Sequence, residues 1–132
     1  MPVLDTVVLF GAADSMDGHH QQARKHLQDL SKPGTYLGAL ALLEFDIVIK
    51  SRGASFEDRM EKHASLLREY PQLDHKIGTL SPATFYLSAR LEEVGGLEYF
   101  DAGVAAEALQ LDGKIVSTDR AFDKIEGLKR IW

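Results

Sequence analysis

Cysteine is absent from the 132 residues. That single absence removes disulfides, thiolate zinc sites, iron–sulfur clusters and cysteine nucleophiles, and it fits a reducing compartment such as the cytoplasm. No run of about 20 apolar residues occurs, the length a membrane-spanning helix needs; the most apolar stretch, 37–49, is interrupted by Glu44 and Asp46. The opening Met-Pro-Val-Leu-Asp has neither a basic cluster nor a long apolar segment, so no secretory signal is expected. Basic charge is also short: 15 Lys and Arg against 20 Asp and Glu give a net charge of −5. A broad basic surface for nucleic acid is excluded by that balance, whereas a local basic patch or a metal that offsets the acids is not. There is no Gly-x-Gly-x-x-Gly, no Walker loop and no Gly-x-Ser-x-Gly elbow, so nucleotide cofactors and serine hydrolysis have no support. The histidines His19, His20, His26, His63 and His75 include no i, i+4 pair, and packing explains His20 and His63 better than zinc does.

What is present reads as one globular domain over 1–132. Hydrophobic residues make up 45% and charged residues 27%, which is enough to build a core without a staple. No repeat and no Ser/Gly/Pro-rich linker divides the chain. Val3-Leu4 reads as a short strand, and 6–13 fits a continued strand or a helix equally well. Helices are predicted over 17–30, 37–50, 55–70, 81–94 and 101–112. Ser55 to Asp58 gives the third a capping-box pattern, and Ser81-Pro82 gives the fourth an N-cap and a first-turn proline. Further strands are predicted over 76–80, 115–117 and 129–132, with a loop or single helical turn over 120–128. Short apolar strands alternating with helices predict a three-layer α/β fold, a central parallel sheet of four to five strands flanked by helices. Ligands of such sheets gather beyond the carboxyl ends of the strands.

Four acids stand where that rule looks. Glu44 falls inside the apolar arc of its helix, with Leu37, Leu40, Ala41, Phe45 and Val48, at about 100° per residue. Asp46 lies across the same helix, four residues before Lys50, as an ordinary solvated pair. Asp5 follows a strand directly, Asp101 opens a helix, and Asp119 follows the strand 115–117. Taken singly, Asp5 and Asp101 read as helix N-caps, Asp119 as a turn residue, and Glu44 as a rim residue or half of a buried salt bridge. Taken together, converging carboxylates repel one another unless they hold a cation. Hard oxygen donors suit Mg²⁺ or Mn²⁺, and such an ion activates water and polarises a phosphate. Metal-dependent phosphodiester hydrolysis is the chemistry of that arrangement.

The chain resembles the PIN domain, a family of small α/β metal-dependent nucleases that includes the toxins of VapBC-type toxin–antitoxin pairs. The resemblance rests on Val3-Leu4-Asp5-Thr6, on Leu42-Leu43-Glu44-Phe45, on Tyr99-Phe100-Asp101-Ala102 with Ala105, Ala106 and Ala108, and on Ile115 to Phe122 around Ser117-Thr118-Asp119. It implies a Mg²⁺- or Mn²⁺-dependent ribonuclease that cuts single-stranded RNA with activated water. Asp5 and Asp101 would hold the metal directly. Glu44 and Asp119 would act through water or orient it, and Thr6 and Ser117 would be hydroxyls that steady the carboxylates. Val7 stands where many relatives have Asn or Ser, which removes one hydrogen bond near the site. Asp123 is an extra acid, read as a surface residue. Lys50, Arg52, Arg120 and Lys124 are candidate phosphate contacts, each also explained by solubility. The toxin branch further implies a small antitoxin partner and a homodimer, with apolar residues of the helix over 55–70 read equally as a contact for either or as core.

Other readings remain open at this level: a PIN-domain RNA-processing nuclease that is not a toxin, and a non-catalytic PIN-like binding module. A haloacid-dehalogenase-type phosphatase would need an acid at position 7, and a phospho-receiver domain an acidic pair after the first strand. Neither is present.

Overall fold

Two residues suffice for the first strand because both are buried and alternate side chains face opposite sides of a sheet. The computed structural model describes residues 2–132, so Met1, the first residue of the expected domain, lies outside the described residues. Strand β1 (Val3–Leu4) is central. It pairs in parallel with β2 (Tyr36–Leu37) on one side and β3 (Lys114–Val116) on the other, and β4 (Lys129–Ile131) pairs with β3. The order is β2-β1-β3-β4. Ile77 adds one isolated parallel bridge to Leu37, all that forms of the strand expected over 76–80.

Among the described residues six α-helices connect and cover these strands: α1 (Thr6–Ala13), α2 (His20–Gln28), α3 (Ala39–Ser51), α4 (Phe56–Glu69), α5 (Pro82–Glu93) and α6 (Tyr99–Leu109). The ambiguous segment 6–13 is helical, and its Gly11 lets α2 approach: a methyl there would stand 2.9 Å from Ala23 Cβ. Helix α2 begins later than predicted, because Asp17 accepts the His19 N–H at 2.7 Å and closes a turn ahead of it. Ser55 caps α4 by accepting from the Asp58 N–H, and Ser81 with Thr84 forms the capping box of α5.

Two differences from the sequence reading bear on the site. Leu37 was expected to begin a helix, with Tyr36 outside it. They form β2 instead, because Leu37 is fully buried beside Leu4, and Gly38 alone separates strand from helix. Asp46 does not pair with Lys50. It accepts from Arg59 Nε at 2.7 Å and stands 2.8 Å from His63 Nε2, so it joins α3 to α4. No helix among the described residues is long and apolar enough to cross a membrane.

Candidate metal centre

The four acids arrive from four elements. Asp5 is carried out of β1 while its N–H donates to Val116 O at 3.0 Å. It occupies the N-cap position of α1, yet its side chain caps nothing. It is instead 2% exposed, accepts the Ser117 hydroxyl on Oδ2 at 2.8 Å, and leaves Oδ1 buried without a partner. Asp101 is the third residue of α6 rather than its opening residue, because the helix starts at Tyr99 behind Glu98. An N-cap role for Asp101 is thereby ruled out. Glu44 projects from the middle of α3 and accepts the Thr6 hydroxyl on Oε1 at 2.5 Å. Asp119 follows β3 and begins the 3-10 turn Arg120–Lys124, accepting the Ala121 N–H at 2.9 Å, so the turn-residue reading holds for one of its oxygens. The Asp119 N–H donates in turn to Ser117 Oγ at 3.1 Å. Ser117 thus links the chain after β3 to the carboxylate after β1.

The electrostatics place the acids in one neighbourhood. Burial pushes the Asp5 carboxyl up to about 6. The Ser117 hydrogen bond opposes that rise, as does the polarity of the adjacent Thr6 backbone amide, and the charges of Glu44 and Asp119 add to it. Burial pushes Asp101 up to about 7, reinforced by the charges of Asp5, Asp119, Glu44 and Glu98. Carboxylates that raise one another in a desolvated place lack a counter-cation.

The donors fit a hard divalent cation in chemistry: all are carboxylates, and Asp5 Oδ1 is a buried acceptor with nothing to accept. Among the described residues no three His, Asp or Glu side chains stand together as a ready three-ligand cage. Glu44 is turned to Thr6, and Asp119 to the Ala121 amide. Mg²⁺ requires only one or two carboxylates and otherwise keeps its waters.

A cleft of about 770 Å³ lies next to the segments that carry the acids, although none of the four acids lines it. Val7 and Thr118, the chain neighbours of Thr6 and Asp119, line it together with Phe10, Phe45, Arg52 and Lys62. Of the four candidate phosphate contacts only Arg52 reaches this cleft, stacked over the Phe10 ring at 5.2 Å. Arg120 is exposed next to Asp119, while Lys50 and Lys124 are exposed elsewhere. Asp123 pairs with Arg130 at 2.8 Å on the surface. Sequence reasoning missed Lys62, whose place in the cleft depends on how α4 packs. It also missed Glu107, 4% exposed, although a lone acid within Ala102 to Leu109 is the signal that had singled out Glu44.

The comparisons with known proteins agree with this architecture. The PIN domain family model matches residues 3–128. By sequence, no curated protein matches. Among solved structures, VapBC2 from Rickettsia felis, bound to a DNA fragment from its promoter, is similar with a TM-score of 0.71 at 16% identity, covering 98% of this chain and 96% of that one. FitAcB from Neisseria gonorrhoeae is similar with a TM-score of 0.68 at 18% identity, covering 92% of this chain and 89% of that one. With β1 and the Asp5, Glu44, Asp101 and Asp119 segments all inside the matched span, the chain belongs to the PIN domain family.

Proposed function

We propose that the chain is a Mg²⁺- or Mn²⁺-dependent endoribonuclease acting on single-stranded RNA, and that it is the toxin half of a VapBC-type pair. The observation that carries the reading is that buried Asp5, with Oδ1 unpartnered, and half-buried Asp101 are both raised by the charges of Glu44 and Asp119. Asp5 and Asp101 would hold the ion, and Glu44 and Asp119 would orient water beside it. A bound divalent cation would supply acidified water and charge neutralisation at the phosphate. Ser117 holds Asp5 in one rotamer, and Thr6 holds Glu44. Arg52 and Lys62 line the adjoining cleft together with Asp14, Asp17 and Asp58, and Arg120 is exposed next to Asp119, so these three cations are the phosphate contacts this reading offers the RNA.

The toxin assignment rests on the two solved relatives. Each carries in its name a second component beside the PIN chain, VapB or FitA. On this chain Phe56 is 82% exposed and Met60 72% exposed, beside Leu43 and Ile47. That apolar face on α3 and α4 suits an antitoxin or a second copy of the chain.

The deciding experiment incubates purified protein with labelled single-stranded RNA in Mg²⁺, in Mn²⁺ and in EDTA. Cleavage with metal that stops on chelation, and is absent from Asp5→Asn, is the expected result. RNA left intact under all conditions would leave a PIN-like binding module as the reading.

A further inference from the structure

The N-terminus of α3 has no cap of its own. Its N-cap residue is Gly38, and the first-turn N–H groups would be left without acceptors in a buried place. They are met from a distant helix. Glu107 of α6 accepts the Ala39 N–H on Oε1 at 2.7 Å and the Leu40 N–H on Oε2 at 3.2 Å. The carboxylate is buried, and burial pushes its pKa up while the two amide bonds hold it down. A negative charge at a helix N-terminus is also favoured by the helix dipole.

The packing around this contact leaves little slack. A methyl at Gly78 would overlap Glu107 Oε1, and one at Gly38 would stand 3.3 Å from Oε2 and 3.2 Å from Val104 Cγ1. One turn back along α6, Gly103 lies under the Leu40 side chain, and a methyl there would overlap Leu40 Cδ1. Three glycines thus clear space for a direct α3–α6 junction, and Glu107 ties it. Helix α3 carries Glu44, five residues beyond Ala39, and α6 carries Asp101, six residues before Glu107.

We propose that Glu107 is a positioning residue. By gripping the first-turn amides of α3 it sets Glu44 against Asp101 and so fixes the separation of the acids. The link to metal rests on the nuclease reading above. The displacement it predicts does not.

The test separates a tie between helices from a mere cap. Glu107→Ala removes both. Adding Gly38→Ser places a hydroxyl at the N-cap of α3; the lost carboxylate no longer crowds its Cβ, the Val104 Cγ1 contact at 3.2 Å asks a few tenths of an ångström of that side chain, and a cap is restored without the tie. Crystal structures superposed on the sheet, thermal melts and Mn²⁺ calorimetry are compared for the parent, E107A and E107A/G38S. The expected result is that Gly38→Ser recovers Tm while Glu44 stays displaced and Mn²⁺ affinity stays about tenfold weaker than in the parent. E107Q, which keeps the size but offers one acceptor for two amides, is expected to move in the same direction. Glu44 in its parent position in E107A/G38S, or parent-like Mn²⁺ affinity there, would overturn the proposal. If the parent itself takes up no Mn²⁺, the nuclease reading fails, and the crystallographic position of Glu44 alone decides the role of Glu107.

Discussion

The Ser117 hydroxyl donates to Asp5 Oδ2 across the β1–β3 pair while Asp5 Oδ1 faces no partner at all. One oxygen is fixed and the other is left free, which suits a ligand that must be oriented but not occupied. Ser117→Ala should therefore weaken Mn²⁺ binding by about tenfold or more, the usual cost of losing a group that orients a metal ligand. Calorimetric titration checks it. The fold should persist, since the lost hydroxyl is small and the strand pairing is made by backbone groups.

Asp5→Asn should abolish metal-dependent cleavage and leave the metal-free protein at least as stable as the parent. The amide has nearly the shape of the carboxylate but no charge to desolvate. The paired measurement is an RNA cleavage assay with Mn²⁺ and a melt in EDTA. A large fall in Tm would mean that the Asp5 charge is held by a partner the native state needs.

Metal-free stability should fall as pH rises. Asp5 lies at about 6 and Asp101 at about 7, both above the 3.8 of an unperturbed aspartate. Between about pH 4 and pH 7 the folded state therefore binds more protons than the unfolded chain, and stability declines with pH across that window. The Asp5 shift alone corresponds to about 3 kcal/mol, an order-of-magnitude figure for a deeply buried group. Melts in EDTA from pH 4 to 8 should show the decline, and Asp5→Asn should flatten it. Added Mn²⁺ should raise Tm most at the alkaline end, where the carboxylates are ionised.

Much of this site was legible in the sequence because acids in apolar settings are rare. Asp5 after Val3-Leu4 and Glu44 within an apolar arc both stood out, and both lie in the acid neighbourhood. The α-helix boundaries were less legible. Leu37 looked like the start of α3 because a two-residue strand carries no periodicity, and only burial beside β1 makes Tyr36-Leu37 a strand. Asp101 looked like a cap because the Ala-rich run begins after it, whereas Tyr99 and Phe100 already belong to α6. Pairings between distant residues were not legible at all. Asp46 had Lys50 at helical spacing, but Arg59 and His63 reach it once α4 folds back.

That α3–α4 clasp gives a prediction with the opposite pH sign. Asp46 is held down to about 2, first by the Arg59 hydrogen bonds and then by His63. Its contribution is present above the ordinary carboxylate pKa near 4 and is lost as pH falls toward 2. Asp46→Asn should lower Tm by a few degrees at pH 7 and by less at pH 3, which melts at the two pH values check.

Gly103→Ala sets two effects of known sign against each other. Alanine favours an exposed helix interior over glycine by about 1 kcal/mol, so α6 in isolation would gain. In place, the new methyl would overlap Leu40 Cδ1, and overpacking of a filled core costs about 1–3 kcal/mol. Leu40 is buried, and its amide is held by Glu107, so neither its side chain nor its backbone can retreat without loosening the α3 N-terminus. The overlap should therefore win. Tm should fall, and because α3 must move away from α6 to make room, Mn²⁺ affinity should fall with it. Leu40→Ala in the same chain removes the overlapping atom. The double variant G103A/L40A should recover Mn²⁺ affinity relative to G103A while staying less stable than the parent for want of the leucine. Affinity that follows Tm through all three variants would show instead that the junction acts only through overall stability.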